Sequence, residues 1–318
     1  MTVVSKIINS GWRAVLVTTG GGSGALNALL STPGASRFVS EAHVPYSPEA
    51  LERFLGEAPL QSVSPETVRA LAKKAIENVG QASCLSRQAG SLSYVMGIAC
   101  TAALQTDRER RGDDRAFICI KNADTEKVYA LHLSKASRAE QESLLSDWLL
   151  VLIGQAVGAE RGLMLPGSFN PVHQGHFNLL NVAEEMTGLR GTFELSCVNV
   201  DKPETPEAEC LKRAAAIRDI PVALTHAPRF IQKAELFSKT TFVVGFDTAI
   251  RFIKDYTSED WKKIQTLETK FLVAGRQHNG VFQTLENLAL PPGFASLFEA
   301  VPESKFRADI SSSALRNI

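Results

Sequence analysis

Residues 165–176 read LPGSFNPVHQGH, with two histidines three positions apart just past the end of an apolar run. Paired imidazoles at such a place supply two donors that can be directed at one ligand. The run LMLP reads as a strand end, GSFNP as a turn and HFNLLNVAEEM as the helix that follows. Backbone N–H groups and the dipole at a helix start favour an anion there. Gly167 removes a Cβ that would block a phosphate, Ser168 and Phe169 belong to the same phosphate-binding turn, and Gly175 lets a ligand approach between the histidines. His173 and His176 share one helix face, because residues three apart are neighbours. Two imidazole donors are thus expected to converge in front of the strand.

Placing them requires a strand that delivers the turn and a sheet wide enough to bury that strand. GLMLPG, TFELSCVNV, PVALTH, TFVVGF and KFLVAG read as strands, alternating with helical stretches PEAECLKRAAAIRD, RFIQKAELF, DTAIRFIKDY and SEDWKKIQTLE. Such alternation predicts an α/β fold with a parallel, doubly wound sheet, whose ligands lie beyond the carboxyl ends of its strands. Further on, ADISSSALRNI offers Ser311, Ser312 and Ser313 as helix caps and Arg316 about a turn later, a charged fork suited to phosphate oxygens.

Together the two segments resemble the nucleotidylyltransferase superfamily that carries an HxGH motif and a C-terminal ISSTxxR motif. The resemblance covers residues 163–318, with serine where threonine is usual. It implies a Rossmann-like domain in which a substrate phosphate attacks the α-phosphorus of a nucleoside triphosphate and pyrophosphate leaves. On this resemblance His173 and His176 bind the triphosphate and steady charge on its bridging and α-phosphate oxygens. Ser312 and Arg316, with Ser311 beside them, hold the β- and γ-phosphates. Lys202 in NVDKP either adds positive charge or is a solvated loop lysine. Gly245 and Asp247 in VVGFDT contact the adenosine moiety, Asp247 accepting from a ribose hydroxyl, and Arg276 in VAGR stands near the mouth of the site. No side chain acts as nucleophile; catalysis is alignment plus electrostatic stabilisation, with Mg²⁺ carried on the ATP phosphates. Trp261 is expected in the core rather than on a base.

The first half differs. RAVLVTT, TTGGGSG and ALNALLSTPG read as strand, glycine-rich turn and helix, and the turn either binds a phosphate through its backbone or only connects. SPETVRALAKKAIENVG is an amphipathic helix, SYVMGIACTA, RAFICIKN and KVYALHLS read as strands, and SRAEQESLLSDWLLVLIGQAVG closes the half. PGAS (33–36), YSPEA (46–50), VSPETV (63–68) and MGIA (96–99) resemble the CinA C-terminal family over residues 1–158. Active members of that family hydrolyse the amide of nicotinamide mononucleotide. In its register Thr19 takes the place of the serine nucleophile and Leu51 that of the activating lysine, while Tyr46 alone matches. A hydroxyl without a neighbouring base stays protonated, so the resemblance implies a retained fold with a degenerate deamidase site. This half is also expected to provide a homo-oligomer interface.

Composition bounds the rest. The chain has 318 residues, 44% apolar and 21% charged, with Lys plus Arg equal to Asp plus Glu at 34 each, which suits two globular domains and gives no global positive field. Nucleic acid and membrane are not expected as partners, and phosphate binding must be local. Cys84, Cys100, Cys119, Cys197 and Cys210 are widely spaced without a CxxC pair, which predicts buried thiols in a reducing compartment. Lys6 and Arg13 break the apolar N-terminus, and later apolar stretches are too short for ~30 Å of hydrocarbon, so a cytoplasmic location is expected. The expected function is adenylyl transfer from ATP to nicotinamide or nicotinate mononucleotide, the acceptor being taken from the fusion. Another cytidylyl- or adenylyltransferase with a different phosphorylated acceptor, and a non-catalytic nucleotide-binding scaffold, stand as alternatives.

Overall fold

The computed structural model describes residues 1–83, 95–108, 110, 112–198, 204–278 and 281–307. They divide into two compact units, Met1–Glu160 with Ile217–Pro221, and Arg161–Ala216 with Val222–Ile318.

In the first unit α1 (Val3–Ile8) leads to β1 (Arg13–Thr19), α2 (Ser23–Leu30), β2 (Val39–His43), α3 (Pro48–Leu55), α4 (Pro65–Ser83), β3 (Val95–Ala103), β4 (Arg115–Lys121), β5 (Glu126–His132) and α5 (Arg138–Ala156). The strand order is β2-β1-β3-β4-β5; β2, β1 and β3 run parallel, and β4 and β5 continue antiparallel. Val, Leu and Ile fill β1, β3 and β4 on both faces, as helices covering a sheet require. Ser137 and Glu140 close a capping box at the start of α5.

That helix also fills the glycine-rich turn. Gly22, at φ 90° where glycine is favoured, begins α2. The N–H groups of Gly22 (2.9 Å) and Gly24 (3.1 Å) and the Ser23 hydroxyl (2.9 Å) all donate to the Glu142 carboxylate of α5. The turn does hold an anion, but it is the chain's own side chain. A phosphate on this backbone is therefore corrected to an internal carboxylate, whose donors are already taken.

In the second unit β6 (Gly162–Pro166), α6 (Gln174–Thr187), β7 (Gly191–Ser196), α7 (Glu207–Ala215), β8 (Val222–Thr225), α8 (Phe230–Leu236), β9 (Thr240–Gly245), α9 (Phe246–Asp255), α10 (Ser258–Thr266) and β10 (Lys270–Ala274) alternate. A short antiparallel hairpin, β11 (Arg276–His278) and β12 (Val281–Gln283), precedes β13 (Phe298–Val301). The described strands lie in the order β8-β7-β6-β9-β10-β13, all parallel. Counted along the unit this is 3-2-1-4-5-6, the doubly wound order whose direction reverses between its first and fourth strands, here β6 and β9. Trp261, 2% exposed, packs with Phe252, Phe271 and Phe298 at ring separations of 5.5–6.2 Å, a core residue.

Two elements depart from the sequence pattern. β13, a short edge strand with an exposed Glu299, carries too little alternation to be read. The helical run AAAIRD stops early, because Asp219, at φ 64°, is drawn into the first unit. Its N–H donates to the His132 carbonyl (2.8 Å), its Oδ1 accepts from Ser134 N–H (2.9 Å) and its carbonyl accepts from Trp148 Nε1 (2.9 Å). Cys100, Cys119, Cys197 and Cys210 are buried free thiols, and Cys84 lies outside the described residues. Among the described residues no helix is long and apolar enough to cross a membrane.

Burial alone would raise the Glu142 pKa, but the donors of the turn outweigh it and hold the pKa below the usual 4.5. The folded value lies below the unfolded one, so this contribution to stability is complete above about pH 4.5 and fades as pH falls through the lowered value. Glu142→Ala is expected to cost roughly 1–3 kcal/mol in urea unfolding at pH 7 and much less at pH 3. Equal losses at both pH values would contradict the ionised clamp.

Candidate nucleotide site

β6 ends at Pro166, and the residue after it hangs on the neighbouring strand, Gly167 N–H donating to the Glu194 carbonyl of β7 at 2.9 Å. A Cβ on Gly167 would stand 2.6 Å from the Phe169 ring. Phe169, at φ 42° and 2% exposed, folds back under the turn. Its ring lies edge-on to Phe193 of β7 at 5.1 Å and to His176 of α6 at 5.2 Å. Gly167 makes room for an internal ring and its amide is committed to β7, and the Phe169 side chain is a floor beneath a histidine. Ser168 is exposed, and its carbonyl accepts from Arg213 Nη1 of α7 at 3.4 Å.

His173 caps α6 in an extended conformation, Gly175 is the second helical residue and His176 the third. The two imidazoles meet, with centroids 3.8 Å apart and planes tilted by 34°. His173 N–H donates to His176 Nδ1 at 3.1 Å. Only an unprotonated nitrogen can accept, so the proton of His176 sits on Nε2. Burial, and then the adjacent His173 ring, push the His176 pKa down to about 4, and burial lowers that of His173. At neutral pH the pair therefore offers uncharged donors rather than cations. His173 Nδ1 is buried without a hydrogen-bond partner among the described residues.

Across the reversal point, β9 ends at Gly245, which caps α9 with an ordinary φ of −78°. A Cβ there would meet nothing within 4 Å among the described residues. Neither backbone strain nor packing calls for glycine at this strand end, which leaves room for another molecule's approach. Asp247, in the first turn of α9, pairs with Arg276 of β11 at 2.5 Å, and both are partly exposed. Asp247 thus already has a cationic partner and must share it or release it to accept from a sugar hydroxyl. Lys202, Ser311, Ser312, Ser313 and Arg316 lie outside the described residues. Sequence reasoning missed Arg213, whose place near the end of an ordinary amphipathic helix gives no hint that it reaches the turn.

In the first unit the Thr19 hydroxyl, 7% exposed, donates to the Pro45 carbonyl at 2.9 Å. Next to that carbonyl, exposed Tyr46 accepts from Arg138 Nη2 at 3.0 Å, and Leu51 is buried. The hydroxyl is committed to an acceptor that takes no proton from it.

A parallel 3-2-1-4-5-6 sheet with a histidine pair at the start of the helix after its first strand defines a doubly wound α/β domain whose strand ends form a crevice at that helix start. Residues 164–318 match the family model described as Cytidylyltransferase-like. The N-terminal region matches solved CinA superfamily structures. One, from Klebsiella pneumoniae, is 13% identical, with 50% of this chain and 94% of that chain covered and a TM-score of 0.39. A competence or damage-inducible protein from Enterobacter asburiae is 16% identical, with 49% and 95% covered and a TM-score of 0.37. Another from Agrobacterium tumefaciens is 16% identical, with 49% and 90% covered and a TM-score of 0.36. No curated protein matches the chain.

His176→Ala is expected to lower turnover by ~10²–10³ with the fold retained, the usual loss for one preorganised donor to developing charge. Near-normal turnover would remove His176 from the site. The free protein should show the His176 ring titrating near pH 4 by NMR. Because the folded value lies below the ordinary 6.5, protons favour the unfolded chain between these values, and stability falls as pH is lowered through that window.

Proposed function

We propose that residues 163–318 transfer the adenylyl group of ATP to nicotinamide or nicotinate mononucleotide, forming NAD or its acid and releasing pyrophosphate. The observation that carries the proposal is the close, uncharged pair His173 and His176 at the start of α6, where the strand order reverses. In this proposal His176 Nε2–H and the His173 ring donate to the bridging and α-phosphate oxygens, and the α6 dipole adds a partial positive charge. Neutral donors suit the task, since they strengthen as negative charge grows on the leaving oxygen and need no prior ionisation.

The incoming phosphate is already ionised at pH 7, so the protein supplies alignment rather than a nucleophile. The open space at Gly245 suits the adenosine, with Asp247 turning from Arg276 towards the ribose. Lys202, Ser311, Ser312 and Arg316 are assigned to the phosphates by their motifs. Among the described residues no group of three His, Cys, Asp or Glu gathers to hold a metal ion. Mg²⁺ in this proposal is held by phosphate oxygens and water, and neutralises charge on the triphosphate.

The choice of acceptor is supported by the sequence resemblance of residues 1–158 to a family that handles nicotinamide mononucleotide. We assign that half no deamidase activity, a homo-oligomer interface and, for the whole protein, a place in the cytoplasm. Another phosphorylated acceptor, or CTP for ATP, is the alternative within the same chemistry.

The direct test is pyrophosphate release with ATP or CTP against a panel of phosphorylated acceptors. Release with ATP and either pyridine mononucleotide, and little with phosphopantetheine, glycerol phosphate or choline phosphate, is expected; the reverse preference reassigns the acceptor, and no release with any of them leaves a binding scaffold. Arg316→Ala should weaken ATP binding and flatten its dependence on salt, whereas unchanged affinity would make the C-terminal motif a mere helix end. The purified protein should release no ammonia from nicotinamide mononucleotide; enzyme-dependent ammonia that vanishes in Thr19→Ala would contradict the degenerate site.

A further inference from the structure

On the face of β7 away from α6 lies a charged group that no step above uses. Glu194 is 0% exposed, with its Oε1 2.6 Å from Lys233 Nζ of α8 and 2.5 Å from the Thr225 hydroxyl at the end of β8. Its Oε2 is buried without a partner among the described residues. Lys233 is itself 4% exposed. A pair withdrawn this far from water is a poor stabiliser, because apolar side chains of similar volume often serve as well or better. What it supplies is placement, since an ammonium and a hydroxyl directed at one oxygen fix torsions that apolar contacts leave loose.

The thing placed is the main chain of β7, and the turn after β6 depends on it twice. Glu194 stands in register with Pro166, the last residue of β6, and its carbonyl accepts from Gly167 N–H. The Phe193 ring, on the opposite face, supports Phe169, against which His176 rests. Lys233 and Thr225 thus act on one side of β7 while the imidazoles are carried on the other.

We propose that Glu194, gripped by Lys233 and Thr225, is a positioning residue that fixes the β7 main chain from which the β6–α6 turn is suspended, and thereby sets the two imidazoles. This rests on taking that turn as the triphosphate site. Glu194 touches no substrate; it acts through Gly167 and Phe193.

Either single replacement leaves a lone buried charge and destabilises the domain, which a purely structural pair would do too. The informative protein is the full chain with Glu194→Leu and Lys233→Met together, expected to melt within a few degrees of the wild type. In it the His176 ring signal, followed by NMR, should titrate above its wild-type value of about 4 as the ring loses its fixed seat. The kcat of pyrophosphate release should fall roughly tenfold or more, with the KM for ATP little changed.

A wild-type His176 titration in a folded double variant overturns the proposal. If the titration moves but the wild-type protein releases no pyrophosphate with any acceptor, the positioning stands and the functional assignment falls. Should the double variant fail to fold, Thr225→Val removes the hydroxyl's bond to Glu194, together with the one it accepts from Ala227 N–H, and no charge. It should move the same titration by a smaller amount, and an unmoved titration there overturns the proposal equally.

Discussion

One backbone hydrogen bond, from Gly167 N–H to the Glu194 carbonyl, decides where the chain goes when β6 ends. It carries the turn sideways towards β7 and leaves Phe169 to fold beneath with a positive φ. That ring can lie there only because residue 167 has no side chain. His176 then rests on Phe169, and the His173 ring lies tilted against His176. Each step is a packing or hydrogen-bonding constraint rather than a contact with a ligand. The outcome is a pair of uncharged donors at a helix start, set before anything binds, and preorganisation of this kind is what lets an enzyme stabilise developing charge without moving groups during the reaction.

The two units contain the same local device, a glycine-bearing turn between strand and helix, with different outcomes. After β1 the donors of the turn close on Glu142, a carboxylate fixed by α5. After β6 the helix start presents two imidazoles, one with a buried nitrogen that has no partner among the described residues. A helix start attracts negative charge in both places. In the first unit the chain supplies that charge itself. In the second it is left for a ligand in our account.

Much of this was legible in residue order. The HxGH spacing, the glycine at the end of TFVVG and the strand-helix alternation marked the sheet and the strand ends that frame the site, because periodicity and turn residues are local signals. What stayed hidden depends on contacts between residues distant in sequence. Nothing near Glu142 says that its carboxylate will sit in a turn begun 120 residues earlier. Arg213 and Lys233 look like solvated helix charges, yet one reaches the Ser168 carbonyl and the other is buried on Glu194. The motif position of Phe169 gives no sign that its ring turns inward, since that depends on packing against Phe193 and His176. The early end of α7 likewise follows from bonds to His132, Ser134 and Trp148.

The account stands on the imidazole pair being the receptor for the triphosphate. The measurement that meets this most directly is a crystal structure of the whole protein with Mg²⁺ and a non-hydrolysable ATP analogue. The account predicts phosphate oxygens within hydrogen-bonding distance, ~2.7–3.2 Å, of His176 Nε2 and of a His173 ring nitrogen, with the adenosine over Gly245. A nucleotide bound elsewhere, or one at this strand end that leaves both imidazoles without a phosphate contact, would contradict it.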